Sequence, residues 1–158
     1  MIRRIELLLA VVLLSVCASL AAKPAPKLVH WMDYSAALKK AKDAPKLIFV
    51  DLYADWCVPC RVMDANVYSD PTVASVLNSR FYPVKLNADS QDSIMCDGIK
   101  NTVQRCFFDV WELTALPAFV LVAPKGLSIL TVTDSMTPQE LQLLLFQFLE
   151  KEKEWIER

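Results

Sequence analysis

Leu47 to Tyr53 is a nearly unbroken apolar run that gives way to helix-like sequence headed by Cys57-Val58-Pro59-Cys60. The run is β-rich and reads as a strand covered on both faces, as in the parallel part of an α/β sheet. Its one charged member is Asp51. Asp51 either closes the strand facing water or is a proton acceptor whose pKa is raised by desolvation. Its position six residues before Cys57 favours the second.

A thiolate at a helix N-terminus meets partial positive charge and unpaired N–H groups, so Cys57 is expected to be the ionised, exposed sulfur. Cys60, one turn further in, is expected to be shielded. One sulfur attacks and the other resolves. A bare Cys-x-x-Cys also occurs in structural disulfides and as half of a zinc site, but the flanking residues point to a redox dithiol.

The chain has 158 residues and 54% hydrophobic composition, enough for one domain with a real core. Basic and acidic residues are scattered and nearly balanced, giving a net charge of -1, which argues against nucleic acid or a polybasic membrane patch. Leu7 to Ala22 is a long apolar segment, preceded by Arg3 and Arg4 and ending in small residues. Its 16 residues fall short of the ~20 that a helix needs to cross a bilayer, so residues 1–22 are read as a signal peptide cleaved near Ala21 or Ala22. A retained signal anchor is the alternative. Export to the periplasm or an equivalent compartment follows, with 23–30 as a tether and 31–158 as the folded domain.

Cys17 lies in the segment expected to be removed, which leaves Cys57, Cys60, Cys96 and Cys106. An exported chain can pair all of these. Pairing of Cys57 with Cys60 leaves Cys96 and Cys106 to each other, or free.

Further along, Asp33 to Ala44 has helical spacing, and a helix from Cys60 is expected to run to about Ser69. Asp70 then caps a second helix, with Pro71 in its first turn, ending near Asn78. Phe81 to Leu86 reads as a strand, and Asn87 to Ser93 is polar without periodicity. Ala118 to Ala123 and Ser128 to Thr133 form a hairpin around Pro124-Lys125-Gly126. Thr137-Pro138-Gln139-Glu140 is a capping box opening a helix to near Glu154. Helices and strands in this order give an α/β fold with parallel and antiparallel pairs in one sheet.

With that order and the dithiol after the first buried strand, the chain resembles the thioredoxin superfamily over roughly Trp31 to Leu149. Asp51-x-x-Ala54-x-Trp56-Cys57-x-Pro59-Cys60 resembles its active-site signature, Lys85 to Asp89 its third-strand segment, and Leu116-Pro117 its cis-proline loop. Asp51 to Val58, with Ser69-Asp70-Pro71 downstream, is similar to the periplasmic C-terminal thioredoxin-like domain of DsbD. The length is similar to stand-alone exported DsbH-type oxidoreductases. The resemblance implies a central mixed β-sheet flanked by helices, with an insertion before the cis-proline loop.

It also implies roles. Cys57 attacks a substrate disulfide and Cys60 resolves the mixed disulfide. Asp51, paired with Lys85, takes the proton of Cys60; Lys85 is otherwise plain surface charge. Trp56 and Pro117 wall the site, and a cis Leu116-Pro117 bond exposes the Leu116 backbone to an extended substrate segment. Ala118 departs from the Thr usual in thioredoxin.

The dithiol pKa is about 3.5 in DsbA, with a His between its cysteines, against about 7 in thioredoxin. Here Val58-Pro59 intervenes, His30 is far upstream, and Asp51 and Asp55 disfavour the thiolate, so a reductant of exported protein disulfides is expected. Disulfide isomerase, oxidase and apocytochrome c thiol reductase are the alternatives of the same class. No cofactor is implied, and no Gly-rich nucleotide fingerprint is present, so electrons come from an external donor such as a DsbD-like membrane thiol transporter. A monomer is expected, since no dimerisation module is evident. In a different class stands a metal-binding module on the cysteines, for which the Cys96 to Cys106 spacing is poor; no metal is expected.

The insertion holds 31 residues between Lys85 and Pro117, with Cys96, Gly98, Cys106, Phe107, Phe108 and Trp111. On one straight helix Cys96 and Cys106 would stand ~15 Å apart, so a structural disulfide requires a break, which Gly98 can supply. Closing that loop is worth about 2.8 kcal/mol in the chain-entropy model. Two buried free thiols and a second redox relay are the alternatives. The aromatic cluster is read as core.

Overall fold

The apolar run becomes the second strand from one edge of a four-stranded sheet. A computed structural model describes residues 28–157. The signal peptide expected over 1–22 and most of the tether lie outside the described residues. Val29 is already buried, and Asn78 holds the backbone on both sides of it, accepting from the His30 N–H and donating to the Leu28 carbonyl. The folded domain therefore engages the chain before Trp31.

Helix α1, Tyr34–Asp43, is capped by Asp33, whose carboxylate accepts the Ala36 N–H at 2.9 Å. It buries Tyr34, Ala37 and Ala41 on one stripe. Strand β1, Ile48–Tyr53, follows. Helix α2, Val58–Asn66, begins two residues before the expected Cys60, because Cys57 serves as its N-cap and Pro59 fits its first turn. It also ends before Ser69. Helix α3, Pro71–Arg80, is capped by Asp70, which accepts the N–H groups of Thr72 and Val73. It runs one turn-half past Asn78 and delivers the chain to β2, Tyr82–Asn87.

Strands β5, Ala118–Val122, and β6, Ser128–Thr133, form the expected hairpin, with Gly126 at φ 93° in its turn, a conformation that suits glycine. The sheet order is β2-β1-β5-β6, β1 parallel to β2 and antiparallel to β5. Helix α5, Pro138–Glu150, opens with the complete capping box of Thr137 and Glu140. It stops short of Glu154: the chain breaks at Lys151 and resumes as α6, Glu152–Glu157.

β1 is covered on both faces, as its composition required. Ile48, Val50 and Leu52 pack with α1 and the insertion; Phe49 packs on the other side with Tyr68, Val73, Leu77, Phe119, Leu141 and Leu145. The alternation of a strand puts Asp51 on the Phe49 side.

The insertion is not a broken helix. Strands β3, Ser93–Cys96, and β4, Ile99–Thr102, make a separate hairpin turning at Asp97 and Gly98, both at positive φ. The Asp97 carboxylate accepts from the Ser128 backbone N–H and from its hydroxyl, which ties this turn to β6. A short helix α4, Val103–Arg105, then passes into a π-type turn over Cys106–Val110. Cys96 and Cys106 are joined as a disulfide with both residues fully buried. Gly98 thus supplies the expected break, as a hairpin turn. Phe107 and Trp111 are core, whereas Phe108 is exposed.

Candidate active site

Three loops and one strand end meet where β1 hands over to α2. The chain leaves Tyr53 in a tight turn, with the Cys57 N–H donating to the Ala54 carbonyl at 3.0 Å. Cys57 adopts extended backbone as the N-cap, and its Sγ accepts the Cys60 N–H at 3.2 Å. The helix's first-turn donors are thereby directed at this sulfur. The separation of three residues brings the two Cα atoms to 5.3 Å, and the Cys57–Cys60 disulfide is closed.

Neither sulfur stands out into solvent in this oxidised form. Cys57 is 2% exposed and Cys60 5%, so the expected contrast of an exposed and a shielded cysteine is not observed. The reason is local packing: the cap turns Cys57 inward over the first turn, and Tyr53, Ala54 and Leu116 close around the pair. What projects is Trp56, 67% exposed, together with Val58 and Val62 on α2. The Trp56 indole N–H donates to an Asp89 carboxylate oxygen at 2.8 Å. The Leu116-Pro117 bond is cis, with Leu116 against the dithiol and Pro117 buried.

Asp51 is 3% exposed, which removes the reading of a strand end facing water. Parallel pairing sets Asp51 beside Lys85, and the Lys85 ammonium lies 3.0 Å from Asp51 Oδ2. The Tyr68 hydroxyl donates to Oδ1 at 2.8 Å. Lys85 also donates to Asp64, on α2, and sits 5.1 to 5.3 Å from the ring centres of Trp31, Tyr53 and Tyr68. Lys85 is therefore no plain surface charge; its ammonium bridges two carboxylates inside an aromatic cage. Burial raises the Asp51 carboxyl above the ordinary range, outweighing the opposing pull of Lys85 and Tyr68. Burial depresses Lys85, but Asp51 and Asp64 more than offset it and leave its pKa raised. Burial, reinforced by Asp51, holds the Tyr68 phenol well above its normal value, so it remains a donor.

The structure thus gathers Cys57, Cys60, Trp56 and Leu116 at one surface, and Asp51 with Lys85 in the interior beneath the same strand end. Sequence reasoning missed Tyr68, Asp64, Asp89 and Trp31. Asp64 carried a faint signal, four residues after Cys60 on one helix face. The others depend on contacts that only the tertiary fold creates. Among the described residues no group of three or more His, Cys, Asp and Glu side chains converges as a metal cluster.

Residues 30–124 match a family model described as thioredoxin-like. The chain belongs to the thioredoxin-like family. Over 91 residues it is 37% identical to the thiol:disulfide interchange protein DsbD 1 of Pseudomonas aeruginosa, a match covering 58% of this chain and 14% of that protein. A shorter stretch of 45 residues is 42% identical to DsbD of Escherichia coli, covering 28% of this chain and 8% of that protein. This family member therefore spans only a small part of the length of those relatives. Among solved structures, a DsbH oxidoreductase superposes with a TM-score of 0.61 at 15% identity, covering 84% of this chain and 92% of that one. The reduced C-terminal domain of Neisseria meningitidis DsbD gives 0.54 at 20% identity, covering 72% and 91%. These structures share the fold. The Cys57–Cys60 pair of this family member lies within the matched residues.

Proposed function

We propose that the chain is an exported reductant of protein disulfides, recharged by an external thiol donor. The observation that carries this reading is the dithiol at the α2 N-cap, with a buried, partnered carboxylate on the preceding strand. In the reduced protein the Cys57 thiolate attacks a partner disulfide, forming a Cys57 to partner bond and releasing the partner's other sulfur as a thiolate. Cys60 then gives its proton to Asp51 and attacks Cys57 Sγ. The Cys57–Cys60 bond closes, the second partner sulfur leaves, and two electrons have passed from this chain to the partner. Cys57 and Cys60 are the redox pair, Asp51 the base, and Lys85 its counter-charge. Trp56 and Leu116 form the surface against which the partner lies, and the buried Pro117 sets the backbone of Leu116 there.

The direction follows from what stabilises the thiolate. Backbone N–H groups of α2 favour it, but Val58 and Pro59 offer no charge, and the carboxylates of Asp51 and Asp55 nearby in the chain oppose it. A weakly stabilised thiolate makes a good electron donor. The relatives named DsbD support a DsbD-like membrane thiol transporter as that donor and exported proteins as acceptors, in keeping with the sequence features of residues 1–22. Equilibration with glutathione, paired with insulin reduction, tests the reading. A potential near the thioredoxin value of about -270 mV is expected, and one near the DsbA value of about -120 mV would reverse the direction.

A further inference from the structure

A tyrosine hydroxyl in a nearly dry core is costly unless it has an acceptor. Tyr68 is 4% exposed, and its ring is fixed edge-on by Trp31, with centres 5.1 Å apart, and by Phe49 at 6.3 Å. Its backbone N–H donates to the Met63 carbonyl at 3.0 Å, pinning it just past the end of α2. Packing alone would be served by the bare ring. The hydroxyl's acceptor is Asp51 Oδ1, at 2.8 Å, while Lys85 occupies Oδ2.

Resting on the exchange reading above, we propose that Tyr68 is a positioning residue for Asp51: its hydroxyl fixes one carboxylate oxygen, leaves the other to Lys85, and keeps the carboxylate ionised for the proton of Cys60. The charged and titratable groups facing Asp51 are Lys85 from β2, Asp64 from α2 and Tyr68 from the connection between α2 and α3. Asp64 stands on the far side of Lys85 and is the most exposed of the set. It tempers the Lys85 charge, which leaves the Tyr68 hydrogen bond as the uncharged hold on the carboxylate. Removing that bond makes Asp51 harder to ionise, so the base is lost first at low pH. The resolving step, in which Cys60 loses its proton and displaces the partner from Cys57, slows there and not in alkali.

Tyr68→Phe keeps the ring and deletes the hydroxyl. The lifetime of the mixed disulfide between Cys57 and glutathione, trapped by acid and counted by mass, reads the resolving step directly. In the full chain the variant is expected to lengthen that lifetime roughly tenfold near pH 6 and less than about twofold near pH 9. In an Asp51→Asn background the same change should add nothing. The carbon-13 titration of the Asp51 carboxyl should move up by about one unit in Tyr68→Phe. Should that variant fail to fold, 3-fluorotyrosine in the native sequence strengthens the donor and should move the midpoint down. Equal slowing at both pH values, an unchanged lifetime at pH 6, or an unmoved carboxyl midpoint overturns the assignment while leaving disulfide exchange intact. A native chain that forms no mixed disulfide overturns the exchange reading itself, and the positioning role with it.

Discussion

Two disulfides stand among the described residues, both buried, and their surroundings differ in span, in helix position and in the polar groups near them. Cys57–Cys60 spans three positions at a helix start, lies behind a few side chains, and is flanked by the exposed Trp56 and Val58. Cys96–Cys106 spans ten positions, joins a hairpin strand to a π-type turn, and both of its residues are 0% exposed. The first has a backbone N–H aimed at a sulfur and a carboxylate on the preceding strand; the second shares a buried apolar cluster with Ile94, Val103, Phe107 and Trp111. On the proposed reading the first bond is the reaction centre and the second a staple, and the difference lies in how a thiolate would be stabilised at each.

The sharpest way to break the comparison is to remove one sulfur from each. Cys57→Ser should abolish insulin reduction, a loss of at least about a thousandfold, with the fold intact. Cys60→Ser should instead accumulate a mixed disulfide through Cys57, visible by mass. Retention of exchange in Cys57→Ser, or its loss in Cys106→Ala at a temperature where that variant is folded, would move the reaction to the buried pair.

Next in size is the effect of the staple on stability. Replacing Cys96 and Cys106 together by Ala should cost about 2 to 3 kcal/mol, read as a lower urea midpoint, since the closed loop is short and the site fully buried. Exchange should persist. Under graded dithiothreitol Cys57–Cys60 should open first, and alkylation with mass mapping should find Cys96–Cys106 still closed. Simultaneous opening would mean that burial does not separate the two.

The two regions were also unequally legible in the sequence. Around Cys57, local signals agreed: an apolar run for β1, a Cys-x-x-Cys where helix-like sequence begins, and a lone acid in the strand. The insertion offered only four-residue strands, and β4 is largely exposed, so neither strand stands out by periodicity. Part of the cover over Cys57 arrives with Leu116, and the partners of Asp51 come from β2 and from the residue before Ser69. No local window contains those contacts. The surprise at Cys57 has partly the same origin: helix-terminus reasoning fixes which sulfur meets the N–H groups, but exposure depends on Tyr53 and Ala54 next to it and on Leu116 from the cis-proline loop.

Asp51 sharpens the comparison through pH. Its folded pKa lies above the unfolded value, so the native chain holds a proton more readily than the unfolded one. The destabilisation from the ionised carboxylate is absent at low pH and appears as pH rises through the folded midpoint. Asp51→Asn mimics the protonated form and leaves Lys85 its bond to Asp64. It should therefore raise stability by on the order of 1 kcal/mol near pH 8, with the gain fading toward about pH 4, as denaturant titrations at both pH values would show. A variant less stable at pH 8 would mean that the Lys85 pairing outweighs burial. Disulfide exchange should slow about a hundredfold at the same time, the lower end of what a positioned general base contributes.

The smallest effect is expected at Trp56. Its ring is mostly exposed, so the hydrogen bond from its indole N–H to Asp89 competes with water and contributes little to folding. On the proposed reading the bond holds a flat apolar wall beside Cys57. Trp56→Phe removes the N–H and shrinks the wall, so kcat/KM for insulin should fall only about threefold, through KM, with an unchanged redox potential. Trp111, buried near Cys106, has no such surface role, and Trp111→Phe should alter the urea midpoint and leave KM alone. A Trp56→Phe loss carried by kcat would mean that the Asp89 bond orders the dithiol turn itself, which would bring the turn after β2 into the reaction centre beside Lys85.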